Sequence, residues 1–333
     1  MLLRLTDMKL MIQTRKIMNR ILIDNLENVK SVGIAGHVHP DGDCIGSTLS
    51  IYNYIKLNYK DIRVDAYLEE YADKYNFIEG TDSVKHDNDE DFVYDLFIAV
   101  DSSSLDRLGH AIKYFESAKK TLCIDHHISN ENYADELVLD ANASSACEII
   151  FDLFDIEKIN KKIAEALYVG MVTDSGVFKY GQTSRKTMEK AGRLLDFGLD
   201  TADIIDGVFY QKTYRQNQIM GRILLESMLI MDGRCILGYC TKKLMDFYNV
   251  TKEDMDGVVE QLRLTKGVEC AIFLYETGEM EFKASLRSKK IVDVSTIAVH
   301  FGGGGHMRAA GFTMHGTLHD IVNNITEQIE LQL

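Results

Sequence analysis

At 333 residues the chain is longer than a single hydrophobic core ordinarily organises, and 46% hydrophobic with 26% charged residues is the make-up of an ordinary globular protein, so two domains are expected. A net charge of −14 argues against a protein that coats long nucleic acid, because such binding relies on Lys and Arg to neutralise phosphates; it leaves short nucleotides open, since bound divalent cations bring their own positive charge. The six cysteines fall singly, with no CxxC pair, and no apolar stretch is long enough for a signal peptide or a membrane span, so the expectation is a cytoplasmic protein with reduced thiols.

In chain order, residues 1–28 read as a helical lead-in. Ser31 to Gly36 reads as a strand, and the chain's only proline, Pro40, together with Gly42 forces a turn through His37-Val38-His39-Pro40-Asp41-Gly42-Asp43. A helix over Ile45 to Leu57 follows, with Ser47 as a candidate starting residue, and then strands over Ile62 to Leu68, Asp95 to Val100 and Thr121 to Ile124. The acidic run at 87–91 reads as a solvated loop, and Ser145 with Glu148 has capping-box spacing ahead of the apolar run CEIIFDLF. Continuous apolar strands separated by helices predict an α/β fold with a parallel sheet covered on both faces, whose ligands bind beyond the carboxyl ends of the strands.

Helical sequence from about Ser184 to Glu226, jointed around Gly198 and Gly207, separates this half from a smaller α+β part. There, strand-like runs at Cys235 to Tyr239, Glu269 to Tyr275 and Met280 to Leu286 surround a helix-like Glu253 to Leu264, and a glycine cluster follows. The expected division is 1–190, a helical linker at 191–225, and 226–333.

Four acidic or histidine clusters fall where elements end: the turn after the first strand, Asp101 with three serines after the strand ending at Val100, Asp125-His126-His127 after TLCI, and Asp174 after the apolar helical run Ile163 to Met171. Singly, each is what a helix cap or a turn looks like; their order, strand then cluster, is what points to one concavity. Imidazole with carboxylate suits Mn²⁺ or Mg²⁺, with Co²⁺ also possible, better than a thiolate-preferring ion.

HVHPDGDCIGS (His37 to Ser47), VDSSS (Val100 to Ser104), IDHH (Ile124 to His127) and VTDSGVFKY (Val172 to Tyr180) resemble the successive motifs of DHH phosphoesterases. FGGGGHMRAAGF (Phe301 to Phe312), with Ser285 to Ser288 upstream, is similar to the DHHA1 domain that accompanies one branch of that family. The resemblance implies two divalent metals, one held by His37, Asp41 and Asp101 and the other by Asp43, Asp101, His126 and Asp174, with Asp101 bridging and a shared hydroxide as nucleophile. His127 then serves the scissile phosphate, and Asp125 orients a ligand histidine from behind. His39 has no counterpart role.

In the second domain the resemblance implies a nucleotide grip from Arg287, Ser288, Gly303, Gly304, Gly305, His306 and Arg308 across an interdomain cleft. Consecutive glycines allow backbone N–H groups to approach a phosphate closely. Lys179 stands where the family often has arginine, keeping the charge but not the bidentate fork.

The layout most resembles stand-alone nanoRNases that also remove the 3′-phosphate of 3′-phosphoadenosine 5′-phosphate (pAp), with a homodimer expected from family habit. A phosphodiesterase for cyclic di-AMP or pApA is the rival within the family, and a catalytically silent nucleotide-binding regulator the rival from another class.

Overall fold

The computed structural model describes residues 18–87 and 91–333; of the expected lead-in 18–26 are helical, 27–28 form a turn and 1–17 lie outside the described residues, as do 88–90 of the acidic run. The fold is α/β and divides into two compact units, the first ending at Gln211 and the second beginning at Lys212.

The first unit is built on a six-stranded sheet in the order β3-β2-β1-β4-β5-β6, all parallel. Its strands are β1 (Ser31–Ala35), β2 (Arg63–Tyr67), β3 (Val84–Lys85), β4 (Leu96–Val100), β5 (Thr121–Asp125) and β6 (Glu136–Leu139). β1, β4 and β5 are buried at every position, as continuous apolar runs between two helical layers must be. The strand order reverses between β1 and β4, so their carboxyl ends open a crevice there.

Helix α1 (Gly42–Asn58) begins three residues earlier than its apolar pattern predicts, and Ser47 lies inside it rather than at its start. The reason is the cap: Asp41 accepts from the N–H groups of Asp43 (3.0 Å) and Cys44 (3.1 Å), which otherwise have no partner in a first turn. α1 is buried from Gly42 to Ile55, against β1, β2 and β4 on one side and α4 on the other. Each of its buried Ile and Leu side chains contributes on the order of 2 kcal/mol by leaving water.

Beyond α2 (Ile112–Ser117) come α3 (Ala146–Leu153), α4 (Lys161–Asp174), α5 (Arg185–Leu195) and α6 (Thr201–Ile205), the last running into a π-helical turn at Asp206–Tyr210. Ser145 does cap α3, accepting from Glu148 N–H, but the Glu148 carboxylate returns to Ser144 rather than closing a capping box. A Cβ on Gly42 would sit 2.4 Å from Thr173 Oγ1, and one on Gly170 2.6 Å from Asp43 Oδ1. These two glycines let the start of α1 and the end of α4 approach, which brings Asp43 towards Asp174.

The second unit starts with α7 (Tyr214–Glu226) and carries a mixed six-stranded sheet, β11-β12-β10-β9-β8-β7. Its strands are β7 (Met228–Ile230), β8 (Cys235–Cys240), β9 (Cys270–Gly278), β10 (Glu281–Ser288), β11 (Gly304–His306) and β12 (Ala309–His315); β8 and β9 are parallel, the other pairs antiparallel. Helices α8 (Lys242–Tyr248), α9 (Val258–Arg263), α10 (Val294–His300) and α11 (Leu318–Glu330) complete it. Two corrections arise here. The predicted helix from Glu253 is a 3₁₀ turn that Gly257, left-handed at φ 80°, separates from α9. The glycine cluster is not a pure loop: Gly304 to His306 pair with Gly311 to Ala309 as an edge hairpin.

Candidate metal centre

Three of the four clusters stand at the carboxyl ends of β1, β4 and β5, and the fourth at the end of α4. His37, 7% exposed, has Nδ1 2.8 Å from the Val38 carbonyl, an N–H donation that presents Nε2 inwards. Asp101 is left-handed at φ 53°, a conformation costly for a residue with a Cβ, and this turn aims its carboxylate into the crevice. Its two oxygens divide: Oδ2 is 3.4 Å from His37 Nε2, and Oδ1 is 3.4 Å from His126 Nε2 and 3.7 Å from His127 Nδ1. His126 Nε2 is also 3.3 Å from Asp174 Oδ2, and His37 Nε2 is 3.9 Å from Asp41 Oδ1.

Asp43 is 1% exposed and held by the start of α3, Ala146 N–H donating to Oδ2 (2.6 Å) and Cys147 N–H to Oδ1 (3.0 Å). Donor atoms of Asp43, His126 and Asp174 lie within 4.8 Å of one another, as do those of Asp101, His126 and His127, and those of His37, Cys44 and Asp101. Cys44, a thiol that a carboxylate and imidazole set does not require, falls beside the centre because it follows Asp43 into the buried first turn of α1.

The electrostatics are those of a site short of positive charge. Burial alone would lower His37 and His126, but Asp101 holds His37 up at about 8, and Asp101 with Asp43 and Asp174 holds His126 at about 10. Burial works to raise Asp101, but the two imidazoles hold it at about 2. Asp174, buried beside Asp101 and Asp41, rises to about 6, and Asp43 is pushed well above the usual carboxylate range by burial and by Asp101 and Asp174. Asp101 Oδ1 is buried without an aligned hydrogen-bond partner among the described residues. A buried, mixed carboxylate and imidazole set with an orphaned oxygen at its centre is what hard divalent cations require, and these residues fit them.

Behind this set, Asp125 is fully buried and accepts from His126 N–H (2.8 Å), His127 Nδ1 (2.7 Å) and Asn130 Nδ2 (2.7 Å). The side chain it orients is therefore His127, the residue expected to serve the phosphate, and not a ligand histidine as expected: His126 gives Asp125 only its backbone N–H, its ring being turned to Asp101 and Asp174. Despite burial, these bonds from His127 and Asn130 keep Asp125 below its ordinary value. Asn130 and Tyr133, which both donate to the Ser102 carbonyl, are the residues the sequence reading missed; the only available signal was the position of Asn130, three residues after His127. His39 is 95% exposed and turned to Glu69. Gly176, Val177 and Phe178 are left-handed in succession, a strained turn for a β-branched residue, and Lys179 just beyond is exposed.

In the second unit Arg287 and Ser288 end β10, where burial alternates, so Ser288 is buried at 3% and Arg287 lies on the opposite face. Arg308 donates to the carbonyls of Val292 (2.8 Å) and Lys290 (2.5 Å), bracing that loop. Gly304, Gly305 and His306 are exposed. Gly303 and Gly305 are required by the hairpin itself, since a Cβ would meet Gly311 O at 2.3 Å and Ala309 O at 2.5 Å, whereas a Cβ on Gly304 would meet nothing within 4 Å.

Residues 31–171 match the DHH family N-terminal domain, and residues 237–331 match the DHHA1 domain. Over 307 residues the chain is 29% identical to the "Bifunctional oligoribonuclease and PAP phosphatase NrnA" of Thermus thermophilus, covering 89% of this chain and 88% of that protein. It is 25% identical over 300 residues to the protein of the same name from Bacillus subtilis, covering 88% and 92%. Among solved structures, an exopolyphosphatase-related protein from Bacteroides fragilis superposes with a TM-score of 0.84 at 26% identity, over 95% of this chain and 96% of that one. With both domains matched and the relatives spanning nearly its whole length, the chain belongs to the DHH/DHHA1 phosphoesterase family.

Proposed function

We propose that this protein hydrolyses phosphoesters in very short nucleotide substrates, taking short oligoribonucleotides to 5′-mononucleotides and pAp to AMP and phosphate. The observation that carries the reading is Asp101, whose two oxygens face His37 on one side and His126 on the other. In this reading one divalent ion is held by His37, Asp41 and Asp101 and a second by Asp43, Asp101, His126 and Asp174. Two such ions, Mn²⁺ first among them, would supply an activated water and charge stabilisation of the phosphoryl oxygens.

The chain's own groups do the rest. With Nδ1–H donated to Asp125, His127 presents Nε2 to substrate, where it stabilises the scissile phosphate and gives a proton to the departing 3′ oxygen. Water attacks phosphorus, the P–O3′ bond breaks, and a nucleoside 3′-hydroxyl leaves. Arg287 and His306, with the N–H groups of the Gly302 to Gly305 segment, hold a second phosphate or nucleoside; Arg308 and the buried Ser288 position that segment. Lys179 adds charge without a fixed fork. The names of the Thermus and Bacillus relatives support this pair of substrates.

The test is a parallel assay of pAp, pApA, a five-nucleotide RNA, cyclic di-AMP and a long single strand, with metal titration of the same preparation. Turnover of pAp and the short RNA is expected. Preference for cyclic di-AMP moves the substrate assignment, comparable rates on the long strand end it, and no binding of Mn²⁺ ends the metal reading.

A further inference from the structure

Two loops meet beside the centre, one leaving β4 with Asp101 and the other leaving β5 with His126 and His127, and one side chain ties them together. Asn130 Nδ2 donates to Asp125 Oδ2 (2.7 Å) and to the Ser102 carbonyl (3.2 Å), while Asn130 Oδ1 accepts the Asn132 N–H (2.8 Å). Those three partners settle which end of the amide is which: a carboxylate and a carbonyl both need donors, and an N–H needs an acceptor. Asn130 N–H donates in turn to the His127 carbonyl (3.1 Å), so the residue that holds Asp125 also closes the turn on which His127 stands.

The two loops do not depend on Asn130 equally. The loop after β4 has further holds, since Tyr133 OH donates to the Ser102 carbonyl (3.0 Å) and Glu131 N–H to the Ser103 carbonyl (2.9 Å). The Asp125 carboxylate has fewer. Its Oδ1 accepts from His126 N–H and His127 Nδ1, but among the described residues Asn130 is the one side chain that donates to Oδ2. Asp125 is wholly buried, and an unmatched carboxylate oxygen there is costly, so a carboxylate released by Asn130 turns towards another donor. Turning it carries Oδ1 away from His127, whose ring has Asp125 as its one hydrogen-bond partner among the described residues.

We infer that Asn130 is a positioning residue for His127. By holding Asp125 Oδ2 it fixes the rotation of the carboxylate, and through the carboxylate the direction of the imidazole, against a loop that stays anchored beside Asp101. The inference rests on His127 serving the scissile phosphate, as proposed above; the chain of hydrogen bonds does not. It also excludes Asp at position 130: the shape is the same, but its carboxylate would face that of Asp125 and the Ser102 carbonyl, acceptor against acceptor.

The experiment is a double-mutant cycle on the full chain with pAp: kcat, KM, Mn²⁺ binding by calorimetry and the thermal melt are measured for wild type, Asn130→Ala, His127→Ala and the two combined. Asn130→Ala should lower kcat about 10- to 100-fold, with KM and Mn²⁺ affinity within about twofold of wild type. In the His127→Ala background the same substitution should change kcat by less than about twofold, because no ring is left to direct. Asn130→Asp should lower kcat at least as far as Asn130→Ala. Asn130→Ser, which keeps one donor on a shorter arm, enters the same cycle and should lose less. Equal losses in both backgrounds, or a loss that saturating Mn²⁺ restores, would overturn the inference, since the side chain would then act on the fold or on metal binding and not through the ring. If His127→Ala alone leaves kcat unchanged, the reading of His127 falls and this inference falls with it.

Discussion

The two units keep their polar groups in opposite states. At the carboxyl ends of β1, β4 and β5, the carboxylates of Asp41, Asp43, Asp101 and Asp174 face too little positive charge, and the chain holds them there with backbone devices: a left-handed Asp101, the N–H groups of α3 on Asp43, and the close approach of α1 and α4. At the end of β10, polar groups are largely spent inside the fold, Arg308 on carbonyls and Ser288 in the core. The first is a set of buried donors whose charge a cation would balance; the second is a braced scaffold that offers backbone and a few exposed side chains. Changing a side chain should therefore remove chemistry in the first unit, and changing the backbone should remove recognition in the second.

The largest expected effect is at Asp101. Asp101→Asn keeps shape but takes the shared charge from both sides of the centre, so hydrolysis should fall about a thousandfold or more and Mn²⁺ binding by calorimetry should weaken with it. Intact hydrolysis in this variant breaks the comparison at its root. Next is His127→Ala, which leaves the carboxylates in place; kcat should drop by about 10² to 10⁴ with metal binding retained, the signature of a group that serves the substrate.

In the second unit the comparison turns on two adjacent glycines. Gly303→Ala forces a Cβ against the Gly311 carbonyl and Phe312, backbone and core that do not yield, and should cost about 2 kcal/mol in a denaturant melt. Gly304→Ala meets open space and no left-handed φ, so stability should stay within about 0.5 kcal/mol. If backbone approach is what the segment offers a phosphate, KM for pAp should nevertheless rise. Equal KM in wild type and Gly304→Ala would reduce the glycine cluster to hairpin packing.

How much of this was legible in the sequence follows the same division. The buried parallel strands could be read because apolar runs such as LFIAV and TLCI carry their own signal, and the clusters because each follows such a run. The start of α1 is hidden because an apolar period cannot see a cap: Asp41 serves as the helix N-cap and as a candidate ligand, and its second role hides its first. Asp125 was expected behind a ligand histidine, and only the structure, with Asp125 Oδ1 2.7 Å from His127 Nδ1, shows which ring it turns. The glycine hairpin was out of reach altogether, since pairing of Gly304 to His306 with β12 is set by partners across the sheet and not by the local residues.

An indirect effect, one step removed from the chemistry, tests what holds the first unit's centre in place. Glu148 is buried, and its carboxylate accepts from Ser144 N–H (2.9 Å), Thr187 Oγ1 (2.7 Å) and Lys190 Nζ (3.2 Å), tying α3, whose first turn grips Asp43, to α5. Burial works to raise this carboxyl, but Lys190 and the hydrogen bonds outweigh it and set it below 4.5. A depressed folded value means the stabilisation is present above the unfolded value near 4.5 and is lost as pH falls through the folded one. Glu148→Gln should cost about 1 kcal/mol at neutral pH, and its melting curve should converge with wild type once the pH has fallen through the depressed folded value of Glu148, because protonation there has already done what the substitution does. Since α3 is what fixes Asp43, the same variant should bind Mn²⁺ more weakly at neutral pH while leaving the melting of the second unit unmoved. A loss of stability that persisted undiminished into acid would mean that α3 is held by packing alone, and that Asp43 owes its position to the apolar face of the helix and not to its charge.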